Sequence, residues 1–126
     1  MGEYIKLNNL EVYKLARELS ELGWKIYQEL NWKDKKIMGD QFIESTDSIG
    51  ANLAEGYGRY HYLDQIKFYY NGRGSFNECY CHWLSLLWER EKVSEENYKN
   101  FKEIAEKFSI KLNNFITSVY KNKKNQ

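Results

Sequence analysis

The segment SEENYKNFKEIAEKFSIKLNNFITSVYK, residues 94–121, decides the fold class. Ser94 is a suitable helix N-cap, and Glu95 and Glu96 follow it at the positive end of the helix dipole. Lys121 lies at the favourable negative end. The apolar side chains recur at alternating intervals of three and four residues, as on one face of a bundle helix. They are Tyr98, Phe101, Ala105, Phe108, Leu112, Phe115 and Val119.

A second amphipathic helix is predicted over residues 9–31 by the same spacing. Its apolar positions are Val12, Ala16, Leu19, Gly23, Ile26 and Leu30. The charged residues 33–36 are interpreted as a turn, and a further helix is expected from about Ile37 to Glu55, ending or bending at 56–58. Another helix is expected from about Leu63 to Arg90.

The composition favours helices over sheet. The chain has 126 residues, no proline, three valines and two threonines. Proline interrupts helices and valine and threonine favour strands, so this composition suits long helices joined by short turns. We therefore predict an all-α, up-down-up-down four-helix bundle over residues 9–121, flanked by an N-terminal tail, residues 1–8, and a basic C-terminal tail, residues 122–126.

The charge balance and the cysteines limit the classes of protein to which this chain can belong. Nineteen basic and 18 acidic residues give a net charge of +1, so one subunit has no overall basic field for nucleic acid. Cys79 and Cys81 point in different directions on a helix and are not expected to pair, which suits a reducing compartment. The chain begins without an apolar signal segment and has no stretch of transmembrane length. We expect a cytoplasmic protein that does not associate with membranes.

Two polar stripes mark the middle helices. Gln41, Ser45, Ser48, Asn52, Glu55 and Arg59 share one face of the second helix, and Asn71, Ser75, Glu78 and His82, with Arg73 beside them, lie on the third. Because Glu55 and Glu78 could pair with Arg59 and Arg73, the stripes predict a charge-paired seam that fixes helix register. An exposed functional cluster is the alternative.

The third helix is apolar nearly all round between Phe76 and Trp88. Because an outer bundle helix needs only one apolar stripe, the excess face predicts contact with another subunit. The expected interface consists of Phe76, Tyr80, Trp83 and Leu87. A wide core stripe edged by aromatic rings is the alternative.

Residues 48–59, SIGANLAEGYGR, and residues 73–78, RGSFNE, resemble the signature of the 23S rRNA intervening-sequence protein family, also called the four helix bundle protein family. The opening residues 10–13, LEVY, fit as well, so the resemblance spans about residues 9–121. The positions that match the signature are Asn52, Glu55, Gly56, Gly58, Arg59, Arg73, Gly74, Ser75 and Glu78.

The resemblance implies a left-handed up-down-up-down bundle that assembles into a ring-like homopentamer. Some members of the family are encoded inside insertions in large-subunit ribosomal RNA genes. Others are accessory proteins of diversity-generating retroelements, where they bind a reverse transcriptase and RNA. No enzymatic activity is implied.

Residue patterns of metal sites and enzymes are largely missing. A di-iron bundle needs two Glu-x-x-His pairs, and the chain has two histidines in all and no such pair. Cys79 and His82 could share a zinc ion, but two further ligands are not evident. The sequence has no phosphate loop, dinucleotide fingerprint or hydrolase motif. We therefore predict no metal site, no cofactor and no enzymatic activity.

Residues 57–62, YGRYHY, interleave aromatic and cationic side chains, a combination that stacks on and holds single-stranded RNA. The expected RNA contacts are Arg59, Tyr60, Tyr62, Lys121, Lys123 and Lys124, although tyrosines at a bundle end also serve packing. Three functions stay open: an oligomeric RNA-binding module, a protein-binding scaffold such as a reverse-transcriptase accessory subunit, and a metal- or small-molecule-binding bundle.

Overall fold

The structure, a computed structural model, describes residues 4–122 of the chain, and within them it contains four long helices and no strand. A 3-10 turn, Leu7–Asn9, precedes the first helix. The helices are α1, Glu11–Glu29; α2, residues 32–57, formed by Trp32–Asp34, Lys35–Gly39 and Asp40–Tyr57; α3, residues 62–89, formed by Tyr62–Phe76, Asn77–Leu84 and Ser85–Glu89; and α4, Glu95–Lys121.

Consecutive helices are antiparallel neighbours. Helix α1 packs against α2 and α4, and α3 packs against the same two helices. On α3 and α4 the ring pairs run in opposite sequence directions, from Phe76–Phe108 to Tyr80–Phe101. The prediction of an all-α, up-down-up-down four-helix bundle is confirmed. Within the described residues, no helix has both the length and the hydropathy needed to cross a membrane.

The apolar stripes of α1 and α4 form much of the core. All six predicted positions of α1 are buried, and so are Phe101, Ala105, Phe108 and Leu112 of α4. Tyr98, Phe115 and Val119 pack partly buried against this core. The spacing missed Ile116, which is also buried. The clear periodicity of these two helices therefore predicted their inward faces correctly.

The turn between α1 and α2 lies earlier than predicted. Leu30 ends α1, and Asn31 caps α2 by accepting a hydrogen bond of 2.8 Å from the backbone N–H of Asp34. The predicted turn at residues 33–36 was wrong, because the Asn31 cap and the acidic first turn start the helix there. The Asp34 carboxylate is buried and lies 3.2 Å from the ammonium of Lys92 in the α3–α4 connection.

A π-helical segment in α3 accounts for its unusual apolar pattern. Buried residues recur every three or four positions as far as Cys79, and the next buried position, Leu84, comes five residues later. The intervening π-helix, Asn77–Leu84, holds one more residue per turn, so both halves of α3 face the same core. The sequence is apolar on several sides because its inward face changes register within this segment.

This register change corrects the predicted subunit interface. Phe76 and Leu87 are 5% and 0% exposed and fill the core of their own subunit. Their assignment to an outer interface was wrong, because this face of α3 packs against the core of its own subunit, where the Phe76 ring contacts Phe108. Tyr80 and Trp83 are partly buried and pack against the core edge.

Glycine allows α2 and α3 to cross closely. A Cβ on Gly56 would lie 2.8 Å from both Phe68 Cβ and Tyr69 Cε1. A Cβ on Gly72 would lie 3.5 Å from the Cβ of Asn52. A side chain at position 56 would therefore clash with α3, whereas a Cβ at position 72 would be in ordinary van der Waals contact.

Candidate functional site

The polar stripe of α2 forms its contacts on its own helix. Arg59 Nη2 lies 2.6 Å from Glu55 Oε1, one helical turn earlier, and both residues are exposed. Asn52 Nδ2 donates a hydrogen bond of 2.9 Å to the carbonyl of Ser48. The Arg59 side chain also contacts α3, since its guanidinium lies 4.9 Å from the centre of the Phe68 ring.

The polar residues of α3 turn away from α2. Arg73 Nη1 donates a hydrogen bond of 3.1 Å to Asn113 Oδ1 on α4. Glu78 is exposed and accepts a hydrogen bond of 2.9 Å from the indole Nε1 of Trp83. Glu55 and Arg59 are thus not paired with Glu78 and Arg73. The prediction of a charge-paired seam between α2 and α3 was wrong, because the charged groups of the two helices have other partners. Close crossing of α2 and α3 leaves Glu55, Arg59 and Glu78 exposed. Ser45 of the α2 stripe is buried.

The glycines of the signature differ in what they contact. Gly56 is required by the helix crossing, as shown above. Gly58 caps α2 with a negative φ of −80°, a conformation open to other residues. Gly74 is exposed, and no atom lies within 4 Å of the position its Cβ would take. Nothing within the subunit explains Gly74, and Ser75 beside it is partly buried.

One end of the bundle presents aromatic and cationic side chains. It consists of residues 4–10, the loop 58–61, the start of α3 and the last turns of α4, and we call it the basic end. The Tyr57 hydroxyl donates to the carbonyl of Ile5, and Gln65 Nε2 donates a hydrogen bond of 2.7 Å to the carbonyl of Arg59. These contacts fix the loop, and Tyr60 is left 86% exposed.

A tyrosine cluster joins α3 to α4 near the basic end. The hydroxyls of Tyr70 and Tyr120 lie 3.4 Å apart. That hydrogen bond raises the pKa of Tyr120, and burial and the charges of Tyr70 and Tyr62 add to the effect. Tyr62 is the first residue of α3, and the antiparallel packing of the helices brings the start of α3 to the same end of the bundle as the last turn of α4, where Lys121 is exposed.

The structure brings four of the six predicted RNA contacts to the same end: Arg59, Tyr60, Tyr62 and Lys121. Lys123 and Lys124 lie outside the described residues. Sequence reasoning missed Tyr70, Tyr120 and Asn113, which meet across two helices. Tyr70 and Asn113 lie outside the apolar stripes of their helices. An aromatic and an amide side chain at such exposed positions were the sequence features that could have pointed to this cluster.

The cations of the basic end are poorly balanced by acidic groups. Residues 107–126 contain five lysines and no acidic residue. In the described part of the chain, Lys6, Lys67 and Lys121 have no carboxylate oxygen within 4.0 Å. Of the acidic groups at this end, Glu55 is paired with Arg59 and Asp64 lies in the first turn of α3. A subunit with a net charge of +1 therefore concentrates positive charge locally.

Cys79 and His82 lie in different environments. Cys79 is fully buried, and burial raises the pKa of its thiol to about 12, while His82 is exposed. Within residues 4–122, no three His, Cys, Asp or Glu side chains gather as metal ligands would.

Family comparison agrees with this architecture. The sequence model described as 23S rRNA-intervening sequence protein matches residues 8–114. The chain belongs to the 23S rRNA-intervening sequence protein family. The part that matches the family contains the whole signature, from Asn52 to Glu78, and ends before Tyr120 and Lys121.

A solved structure shares the fold of this family member. The crystal structure of a protein of unknown function from the S23 ribosomal protein family of Bacteroides thetaiotaomicron superposes with a TM-score of 0.76. The two chains are 25% identical, and the alignment covers 83% of this chain and 97% of the other. No curated protein matches the sequence.

Proposed function

We propose that this protein is a non-enzymatic, cytoplasmic homo-oligomer that binds single-stranded RNA through the basic end of each subunit. The observation that carries the proposal is the loop 58–61, which presents Tyr60 almost fully to solvent beside Arg59. Tyr62 and Lys121 lie at the same end. An exposed aromatic ring flanked by cations is suited to stacking on unpaired bases and neutralising their phosphates.

Assembly would supply the affinity that one subunit lacks. A subunit of charge +1 has a weak overall field, but a ring repeats the basic end and lets several copies contact one strand. Resemblance to the family supports a homopentamer. Partly exposed aromatic residues on α3, Tyr80 and Trp83, and the open space beside Gly74 support contacts between subunits there.

Two free cysteines, Cys79 and Cys81, support a reducing compartment such as the cytoplasm.

The RNA proposal is tested by titrating the intact protein into a fluorescently labelled oligouridylate and measuring anisotropy at low and physiological salt. We expect binding that weakens steeply with salt. Tyr60→Ala should weaken binding by about 5-fold to 100-fold, the equivalent of one lost stacked base. Trp32→Ala is the matched control, since Trp32 is 77% exposed at the opposite end of the bundle.

The control variant should bind as the wild type does. Absence of binding at low salt would overturn the RNA function and leave a protein-binding scaffold, such as a reverse-transcriptase accessory subunit, as the function to test next. Multi-angle light scattering after gel filtration tests the assembly, and a monomeric mass at micromolar concentration would contradict it.

A further inference from the structure

Between α3 and α4, beside the basic end, exposed side chains lie over a buried aromatic layer, and we call this strip of the surface the groove. Tyr69 is buried and packs against Phe115, with ring centres 4.8 Å apart. Tyr70 and Tyr120 lie outside this layer and are 40% and 37% exposed. The core is thus closed beneath the outer tyrosines, whose rings are available at the surface.

Arg73 is held in this groove by contacts with both helices. Its guanidinium lies 4.7 Å from the centre of the Tyr70 ring, and its Nη1 donates a hydrogen bond to Asn113 Oδ1. A guanidinium plane and phenol rings stack on bases of any identity, and an amide side chain can pair with base edges. Stacking and hydrogen-bonding groups are therefore fixed side by side across two helices.

The edges of the groove are cationic. Lys67 lies one turn before Tyr70 on α3, and Lys121 follows Tyr120 on α4. Because α4 has no acidic residue after Glu106, its half of the groove offers phosphates no repulsive charge. Tyr62 is the first residue of α3 and directly follows the loop 58–61 that carries Tyr60, so the groove lies at the same end of the bundle as that loop.

We infer that this groove, formed by Tyr70, Arg73, Asn113 and Tyr120, is the path along which single-stranded RNA continues from the loop 58–61. The inference rests on the proposed function and adds to it the groups that hold the bases. Tyr70 and Tyr120 stack on unpaired bases, Arg73 supports the stack and Asn113 pairs with a base edge. Lys67 and Lys121 contact the phosphates.

The test uses the intact protein and a labelled oligouridylate in the anisotropy titration. Tyr70→Ala and Tyr120→Ala should each weaken binding by about 5-fold to 100-fold and leave the salt dependence unchanged. Tyr70→Phe and Tyr120→Phe keep the rings and should bind within about 2-fold of the wild type. Lys121→Gln should instead reduce the slope of log affinity against log salt by about one.

Circular dichroism melts of each variant separate a lost contact from a lost fold, and the phenylalanine variants keep the test valid where an alanine variant unfolds. Weak binding by the phenylalanine variants with normal melts would overturn the stacking role. If Tyr60→Ala weakens binding while the Tyr70 and Tyr120 variants bind normally, this inference alone fails. If the wild type does not bind, the proposed function and this inference fail together.

Discussion

Glu78 and Trp83 are joined by a hydrogen bond of 2.9 Å across five residues of the same helix. Side chains five residues apart diverge on an α-helix but approach each other on a π-helix, whose repeat is i to i+5. The contact therefore depends on the π segment Asn77–Leu84. It gives the exposed signature residue Glu78 a partner within its own subunit.

Removal of the Glu78 carboxylate should have a modest effect. Glu78→Ala is expected to lower the free energy of unfolding by about 1 kcal/mol, the usual net value of one hydrogen bond. A loss of about 3 kcal/mol, typical of breaking a buried charge pair, is not expected because Glu78 is exposed. Urea denaturation at a fixed protein concentration measures the difference. A loss of the larger size would show that the carboxylate is buried in the assembly.

The π segment should tolerate the loss of one residue. Deletion of His82, which is exposed, should convert the segment to α-helix and keep Cys79, Leu84 and Leu87 facing the core at spacings of four and three. We expect a cooperative melt close to that of the wild type, followed by circular dichroism.

Deletion of the exposed Asn71 in the regular part of α3 is the control. It should unfold the protein, because it rotates every later core residue of α3 by about 100° relative to Tyr69. Equal damage from the two deletions would show that the π segment is not a one-residue insertion.

Two signature glycines should respond to alanine in opposite directions. Gly56→Ala should destabilise the protein by about 1–3 kcal/mol, because the new Cβ would meet Phe68 and Tyr69 at 2.8 Å. Gly74→Ala enters open space within a helix and should stabilise the subunit by about 0.5–1 kcal/mol. Chemical denaturation compares both with the wild type. A destabilised Gly74→Ala protein with a reduced assembly mass would place Gly74 at a subunit contact.

The two cysteines should differ in reactivity. Burial disfavours the thiolate of Cys79 and raises its pKa to about 12, so this group stays protonated at pH 8. Cys81 is exposed. Iodoacetamide at pH 8 should therefore modify one thiol of the native protein and both thiols in urea, as counted by mass spectrometry. Rapid labelling of both thiols in the native state would contradict the packing of α3.

The sequence predicted those parts of the fold in which a single α-helical period persists. The inward faces of α1 and α4 followed directly from their spacing. In α3 the period changes after Cys79, so apolar residues occur on several sides of the helix, and the sequence did not show that Phe76 and Leu87 belong to the inward face. The helix cap at Asn31 was missed because the charged residues 33–36 that follow it were interpreted as a turn.

The candidate site was predictable only where its residues are close in sequence. Arg59, Tyr60 and Tyr62 form a recognisable local pattern of cations and aromatics. Tyr70 and Tyr120 are 50 residues apart and meet only because α3 and α4 pack with a particular alignment. The charges predicted to pair between α2 and α3 could be judged only after the helix crossing at Gly56 was seen.

The claim that RNA lies on the basic end is tested most directly by photo-crosslinking. A single-stranded RNA that contains 4-thiouridine is irradiated with the intact protein, and crosslinked tryptic peptides are identified by mass spectrometry. We expect crosslinks in peptides 60–67 and 112–121, which carry Tyr60 and Tyr120. Crosslinks concentrated in peptide 26–33, which carries the exposed Trp32 at the opposite end, would contradict the account.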